Sequence, residues 1–123
     1  MIVRLVGWGN ITSQGRVEVF TDGFWRGVCG NEWDLNDANV VCRQLGFKGA
    51  IAAVTSSEGY RRQWIHDVTC EGNERFLKQC DHIVSSRYCS NYRDACAVCI
   101  TGIVKKRGCL RPIFWLLRNA KRR

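Results

Sequence analysis

The order of apolar and polar positions marks one helix and a series of short strands. From 34 to 46 the chain reads DLNDANVVCRQLG, with Leu35, Ala38, Val41, Cys42 and Leu45 spaced to fall on one helical stripe. Asn36, Asn39, Arg43 and Gln44 are left for the wet side. Asp34 suits the N-cap, Asp37 adds negative charge where the helix dipole favours it, and Gly46 supplies a left-handed stop. The stripe is about three turns long and carries a cysteine, so the helix needs a surface to lie on and a covalent partner across it.

Strands are expected over 3–6, 16–21 and 24–29, where β-branched and aromatic residues dominate and Arg16 and Glu18 alternate with Val17 and Val19. Ser13, Gln14 and Gly15 read as turn material, and Asp22-Gly23 between two such runs is a strong hairpin signal. After Gly46, residues 50–54 suit a strand, 55–63 a polar loop with Arg61 and Arg62 at its tip, and 64–70 another strand. Asn73 can cap a short helix over 73–80 that brings Phe76, Leu77 and Cys80 to one side. Residues 81–94 read as irregular and 95–100 as a buried closing strand. Many short strands around one good helix make an α+β or mainly β domain.

Composition places this domain in a compartment. At 123 residues the chain is one domain by length, able to bury about two thirds of its unfolded surface. Eight cysteines point to an oxidising, extracellular setting, either secreted or the ectodomain of a membrane protein. Asn10-Ile11-Thr12 is a glycosylation sequon that fits the same setting. Met1 leads straight into strand-like sequence rather than a leader, so the chain is expected to be part of a longer secreted or membrane protein or an incomplete reading of its gene. No stretch approaches the ~20 apolar residues of a spanning helix, so a membrane contact is expected only through regions outside this chain.

The formal charge of +8 has to be located before it is interpreted. Residues 1–100 hold eleven Lys and Arg against eleven acids, and the whole excess lies in 102–123. A neutral body argues against a nucleic-acid-binding domain. The basic segment also carries Ile113, Phe114, Trp115, Leu116 and Leu117, but these are consecutive and give no helical stripe. It is expected to be disordered or not part of the domain, which is placed at 3–101.

A chain of motifs in order then narrows the fold: VRLVG, GRVEVF, WRGVC ending at Cys29, WDLNDANVVCRQLGF, WIHDVTC, GNE followed by LKQC, and DACAVC. With these, residues 3 to about 101 resemble a scavenger receptor cysteine-rich domain. The resemblance implies a curved antiparallel sheet cradling the helix at 34–46, and the three bridges of the family's group A: Cys29–Cys89, Cys42–Cys99 and Cys70–Cys80. Ser13 and Phe47 stand where group B members place a fourth bridge. Cys96, where the family usually has glycine, and Cys109 are left over. If 95–100 is a strand, alternation turns Cys96 and Cys99 to opposite faces, so both cannot reach Cys42. Cys96 and Cys109 either pair with each other across Thr101-Gly102 or stay as free or intermolecular thiols.

Chemistry beyond the bridges is sparse. Cys96 and Cys99 have zinc-ligand spacing, yet no second close pair completes a set, and His66 and His82 have no nucleophile motif beside them; both read as surface or hydrogen-bonded residues. The five tryptophans read as core or sheet packing. Family members often bind calcium through acids just after the first of these cysteines, before the last, and in the strand leading to the third. Here those positions hold Gly30 and Asn31, Arg93, and His66, which leaves Asp34 alone and no tight metal site. No cofactor is expected. Arg61, Arg62, Arg87 and Arg93 instead offer forked donors to sulfate, phosphate or carboxylate. The expectation is a non-enzymatic extracellular module that binds protein or polyanionic ligands through loops. The alternative is an accessory domain of a larger secreted enzyme, a protease or a lysyl-oxidase-like amine oxidase.

Overall fold

A computed structural model describes residues 1–7, 11–56, 65–85, 89 and 93–101. Its strands are β1 (Ile2–Val6), β2 (Gln14–Thr21), β3 (Phe24–Gly27), β4 (Ala50–Ser56), β5 (Ile65–Thr69), β6 (Asp81–Val84) and β7 (Asp94–Cys99). Helix α1 (Leu35–Gln44) lies between β3 and β4, and a 3-10 turn (Leu77–Gln79) between β5 and β6. β1, β2, β7 and β4 lie side by side in that order, β3 also pairs with β2, and β5 and β6 form a separate pair. All these pairings are antiparallel. The α+β expectation holds, with an antiparallel sheet and one helix.

Period-two alternation decides which face of the sheet meets the helix. Val3 lies opposite Val19 and Leu5 opposite Val17, and the three valines are buried. On the other face Arg4 lies opposite Glu18 and Ile2 opposite Phe20. Arg4 binds Glu18 at 2.7 Å, Arg16 binds the same carboxylate at 3.1 Å, and the Arg4 guanidinium stacks 4.0 Å over Trp25. Partial burial pushes the Glu18 carboxyl up, but the hydrogen bonds and charges of Arg4 and Arg16 outweigh it and hold it below its ordinary value. Asp22 and Gly23 take positive φ of 53° and 83° in the β2–β3 hairpin, as their turn chemistry implies.

Three local expectations need correction. Gln14 and Gly15 are not a turn: they begin β2 and pair with Val98 and Ala97 of β7, because an eight-residue strand lets β2 serve two neighbours in succession. The helix expected over 73–80 shrinks to the single 3-10 turn, and Phe76 is 48 % exposed. The Cys70–Cys80 bridge spans only ten residues, and the Glu74 carboxylate accepts the amides of Glu71 and Gly72, which holds this segment in a turn. Residues 81–94 are not all irregular either, since β6 pairs with β5 and Asp94 opens β7.

Helix α1 starts and stops where the sequence places it, but its faces differ from the expected ones. Asp34 caps it, and Gly46 has φ of +99° just beyond its end. Ala38, Val41 and Cys42 are buried, while Leu35 is 47 % exposed and Val40 takes a place inside. The polar side is not simply wet. The Asn39 side chain accepts the Ala50 amide at 2.7 Å, and Arg43 donates to the Glu74 carbonyl at 2.8 Å. Gln44 reaches both ways, donating to the Met1 carbonyl and accepting from the Leu77 amide. These bonds tack the helix to the sheet edge and to the turn beyond it.

Asp37 is the largest departure, because it is fully buried rather than a surface charge on the dipole. Its carboxylate accepts the Asp34 amide at 2.8 Å, which closes a capping box, and the Cys70 amide at 2.7 Å. Burial pushes its carboxyl up to about 6; the two amides pull the other way without outweighing it, and the neighbouring Asp34 carboxylate adds to the rise. A carboxyl whose folded value lies above its unfolded value of roughly 3.9 favours the folded state when protonated. Stability from this group is therefore lost as pH rises through about 6 and present below about 4. Urea unfolding should show a gain on the order of 2 kcal/mol from this group between neutral pH and about pH 4.5. Asp37→Asn should flatten that slope while lowering stability by about 1 kcal/mol, since one of the two oxygens that accept the Asp34 and Cys70 amides is replaced by a donor.

Candidate ligand-binding site

Among the described residues three disulfides join the elements: Cys29–Cys89, Cys42–Cys99 and Cys70–Cys80, with sequence separations of 60, 57 and 10 residues. The first gathers one end of the domain. Here the Cys29 amide donates to the Ile65 carbonyl, the Gly30 amide to the Arg93 carbonyl, and the Ala95 amide to the Val28 carbonyl, each at 2.8 Å. Ser56 lies opposite Asp94, and Ile65 lies opposite Val84. The described ends of three segments, beyond Ser56, beyond Ser85 and before Arg93, thus meet around one bridge.

Packing at this end is tight. A Cβ on Gly30 would stand 2.7 Å from Thr55 Cγ2 and 3.2 Å from the Arg93 carbonyl oxygen, so any side chain here would press on the Thr55 methyl and the Arg93 backbone. Arg93 Nη1 donates to Thr55 Oγ1 at 3.4 Å. Asp94 is buried beneath, 3.7 Å from the Arg16 guanidinium. Of the four arginines named from the sequence, Arg93 lies here, and Arg61, Arg62 and Arg87 lie outside the described residues. So do Asn10, Trp8, Trp64, Trp115 and Cys109.

The sequence reading missed Asp67. The Asn31 side-chain amide donates to its carboxylate at 2.9 Å, across 36 residues of chain. Asp67 has φ of +53° and falls where the β5–β6 register shifts between His66 and Thr69, so it is taken out of the ladder. The signal lies in WIHDVTC, where an acid follows His66 directly. His66 itself is buried, not a surface residue, since it lies in the inner part of β5. His82 is half-buried, with Nδ1 2.7 Å from the Cys80 carbonyl oxygen.

These residues do not fit a calcium ion. Gly30 has no side chain, Asn31 presents a donor to the Asp67 carboxylate, and Arg93 is a cation, whereas a hard cation wants several oxygens. Zinc fits no better at the closely spaced cysteines. Cys99 is bonded to Cys42, and Cys96, fully buried, is also disulfide-bonded, its expected pairing with Cys109 falling outside the described residues. Cys70, Glu74 and Cys80 cluster, but both sulfurs there belong to one bridge. Trp33 supports the sheet from the same end, packing on the core and donating Nε1 to the Cys96 carbonyl at 2.8 Å.

Residues 8–100 match the family model of the scavenger receptor cysteine-rich (SRCR) domain. The chain belongs to the SRCR family. Solved SRCR domains share its fold: the third SRCR domain of murine neurotrypsin, at 36 % identity and a TM-score of 0.66, covers 80 % of this chain and 94 % of that one. The dimeric form of the SRCR domain of mouse MARCO, at 34 % identity and 0.62, covers 71 % of this chain and 86 % of that one. Among curated proteins, lysyl oxidase homolog 2 of Homo sapiens is 40 % identical over 111 residues, 85 % of this chain and 14 % of that protein. An SRCR domain superfamily protein of Patiria pectinifera is 43 % identical over 101 residues, 79 % of this chain and 9 % of that protein. The chain therefore spans about a seventh or less of these relatives. SRCR domains are ligand-recognition modules found in extracellular or secreted proteins, and no helix among the described residues is long and apolar enough to cross a membrane.

The tight end of the domain makes a direct prediction. Gly30→Ala should lower stability by about 1 to 3 kcal/mol, because Thr55 and the Arg93 backbone must separate. Urea midpoints of the two proteins measure it, and equal midpoints would show that this junction is loose.

Proposed function

We propose that the chain is a non-catalytic extracellular recognition module of a larger protein, which binds protein or polyanionic ligands at the end gathered by Cys29–Cys89. The observation that carries this reading is the convergence around that bridge of the chain ends flanking Arg61, Arg62 and Arg87 with Arg93 itself. Guanidinium groups offer forked, permanently charged donors to sulfate, phosphate and carboxylate, and a disulfide-fixed base lowers the entropy lost when loops close on a ligand.

A second reading concerns context rather than chemistry. Identity of 40 % to lysyl oxidase homolog 2, of which this chain matches 14 %, supports a place as an accessory domain of a larger secreted enzyme. In that setting the module would hold its enzyme near a ligand-bearing surface while the reaction proceeds elsewhere.

Replacing Arg61, Arg62, Arg87 and Arg93 together by Ser, with every cation of 102–123 retained, tests the recognition face. Heparin binding at physiological salt should weaken by about tenfold or more, with a shallower dependence of log affinity on log salt. Unchanged binding and salt dependence would place polyanion recognition elsewhere.

A further inference from the structure

We infer that the Asn31–Asp67 hydrogen bond stands in for a bridging divalent cation and sets this end of the domain without metal. The inference concerns how the scaffold is held and does not depend on which ligand the module recognises.

The bond extends the contact between the Cys29 segment and β5, where the Cys29 amide already donates to the Ile65 carbonyl, two residues further along each segment. Asn31 lies in the turn after Cys29, and its backbone N–H donates to the Cys29 sulfur at 3.4 Å. Asp67 lies in the bulge of β5, in the left-handed region with φ of +53°, which is strained for a non-glycine residue. Its backbone carbonyl accepts from Thr69 Oγ1 at 3.4 Å. A hydrogen bond onto a carboxylate contributes roughly twice what a neutral one does, enough to offset that strain.

Asn and Asp have the same shape and differ in one atom, an amide nitrogen against an oxygen. With nitrogen at 2.9 Å from Asp67 Oδ1, the pair is a donor facing an acceptor. With oxygen there, two carboxylates would face each other at about 3 Å, and like charges that close cannot both stay ionised without a cation between them. Glu32 follows in the same turn and Asp34 caps the helix just beyond it, so a carboxylate at position 31 would have further oxygens near it in sequence. In this chain the amide supplies the positive end of the contact itself.

The test uses the full 123-residue chain with its disulfides intact, and calcium alone as the probe. The thermal midpoint of the natural sequence should be the same, within about 1 °C, in EDTA and in millimolar calcium. Asn31→Asp should melt about 5 to 10 °C lower in EDTA and regain at least half of that loss in millimolar calcium. If it refolds only when calcium is present, that is the same result in stronger form. Asn31→Ala, which removes the donor without adding a charge, should melt about 3 to 8 °C lower whether or not calcium is present. A rise of more than about 3 °C for the natural sequence on adding calcium would overturn the inference. So would an Asn31→Asp protein as stable as the natural one in EDTA, or one whose loss calcium does not repair.

Discussion

Everything in this domain is arranged around the bond between Cys42 and Cys99. It joins the buried face of the only α-helix among the described residues to the last residue of β7, the strand between β2 and β4. A separation of 57 residues makes it a long loop closure, worth on the order of 4 kcal/mol in a chain-entropy account. The core it closes is built from small residues, valines and alanines above all, which bury little apolar area each. Such a core needs covalent help more than one lined with large side chains would.

Polar contacts finish what the bridge begins. Asn39, Arg43 and Gln44 reach from the helix to Ala50, Glu74, Met1 and Leu77, and Asp37 reaches from its first turn to Cys70 beside the second bridge. Each of these bonds goes to the backbone of another element, so the helix fixes the position of chain segments rather than of particular side chains. Of the other bridges between described residues, Cys70–Cys80 closes ten residues and shapes one turn, while Cys29–Cys89 closes 60 and gathers the end where the segments at Ser56, Ser85 and Arg93 meet. A rigid base with variable loops is what a recognition module requires, and the same base recurs in SRCR domains that share about a third of its residues.

Much of this was legible in the chain. The helix limits followed from Asp34 and Gly46, the β2–β3 hairpin from Asp22-Gly23, and the fold from the ordered motifs around the cysteines. What was not legible depends on partners distant in sequence. Nothing local to Asp37 says that its carboxylate will be buried against the Cys70 amide, and nothing local to Gln14 says that β7 will extend β2 past its expected start. The segment ending at Cys80 has a helical pattern, but a ten-residue disulfide loop overrides propensity. Leu35 satisfies the stripe in sequence and still lies outside, while Val40, off the expected stripe, is buried beside Val41. At the candidate site, Arg93 was found by its charge, whereas Asp67 became visible only through its bond to Asn31.

The account is most directly tested by mapping the disulfides of the folded, secreted chain from a non-reducing proteolytic digest. It predicts a linked peptide pair containing Cys42 and Cys99, in every molecule that shows cooperative unfolding. A folded product in which Cys42 is alkylated, or is joined to any other cysteine, would contradict it.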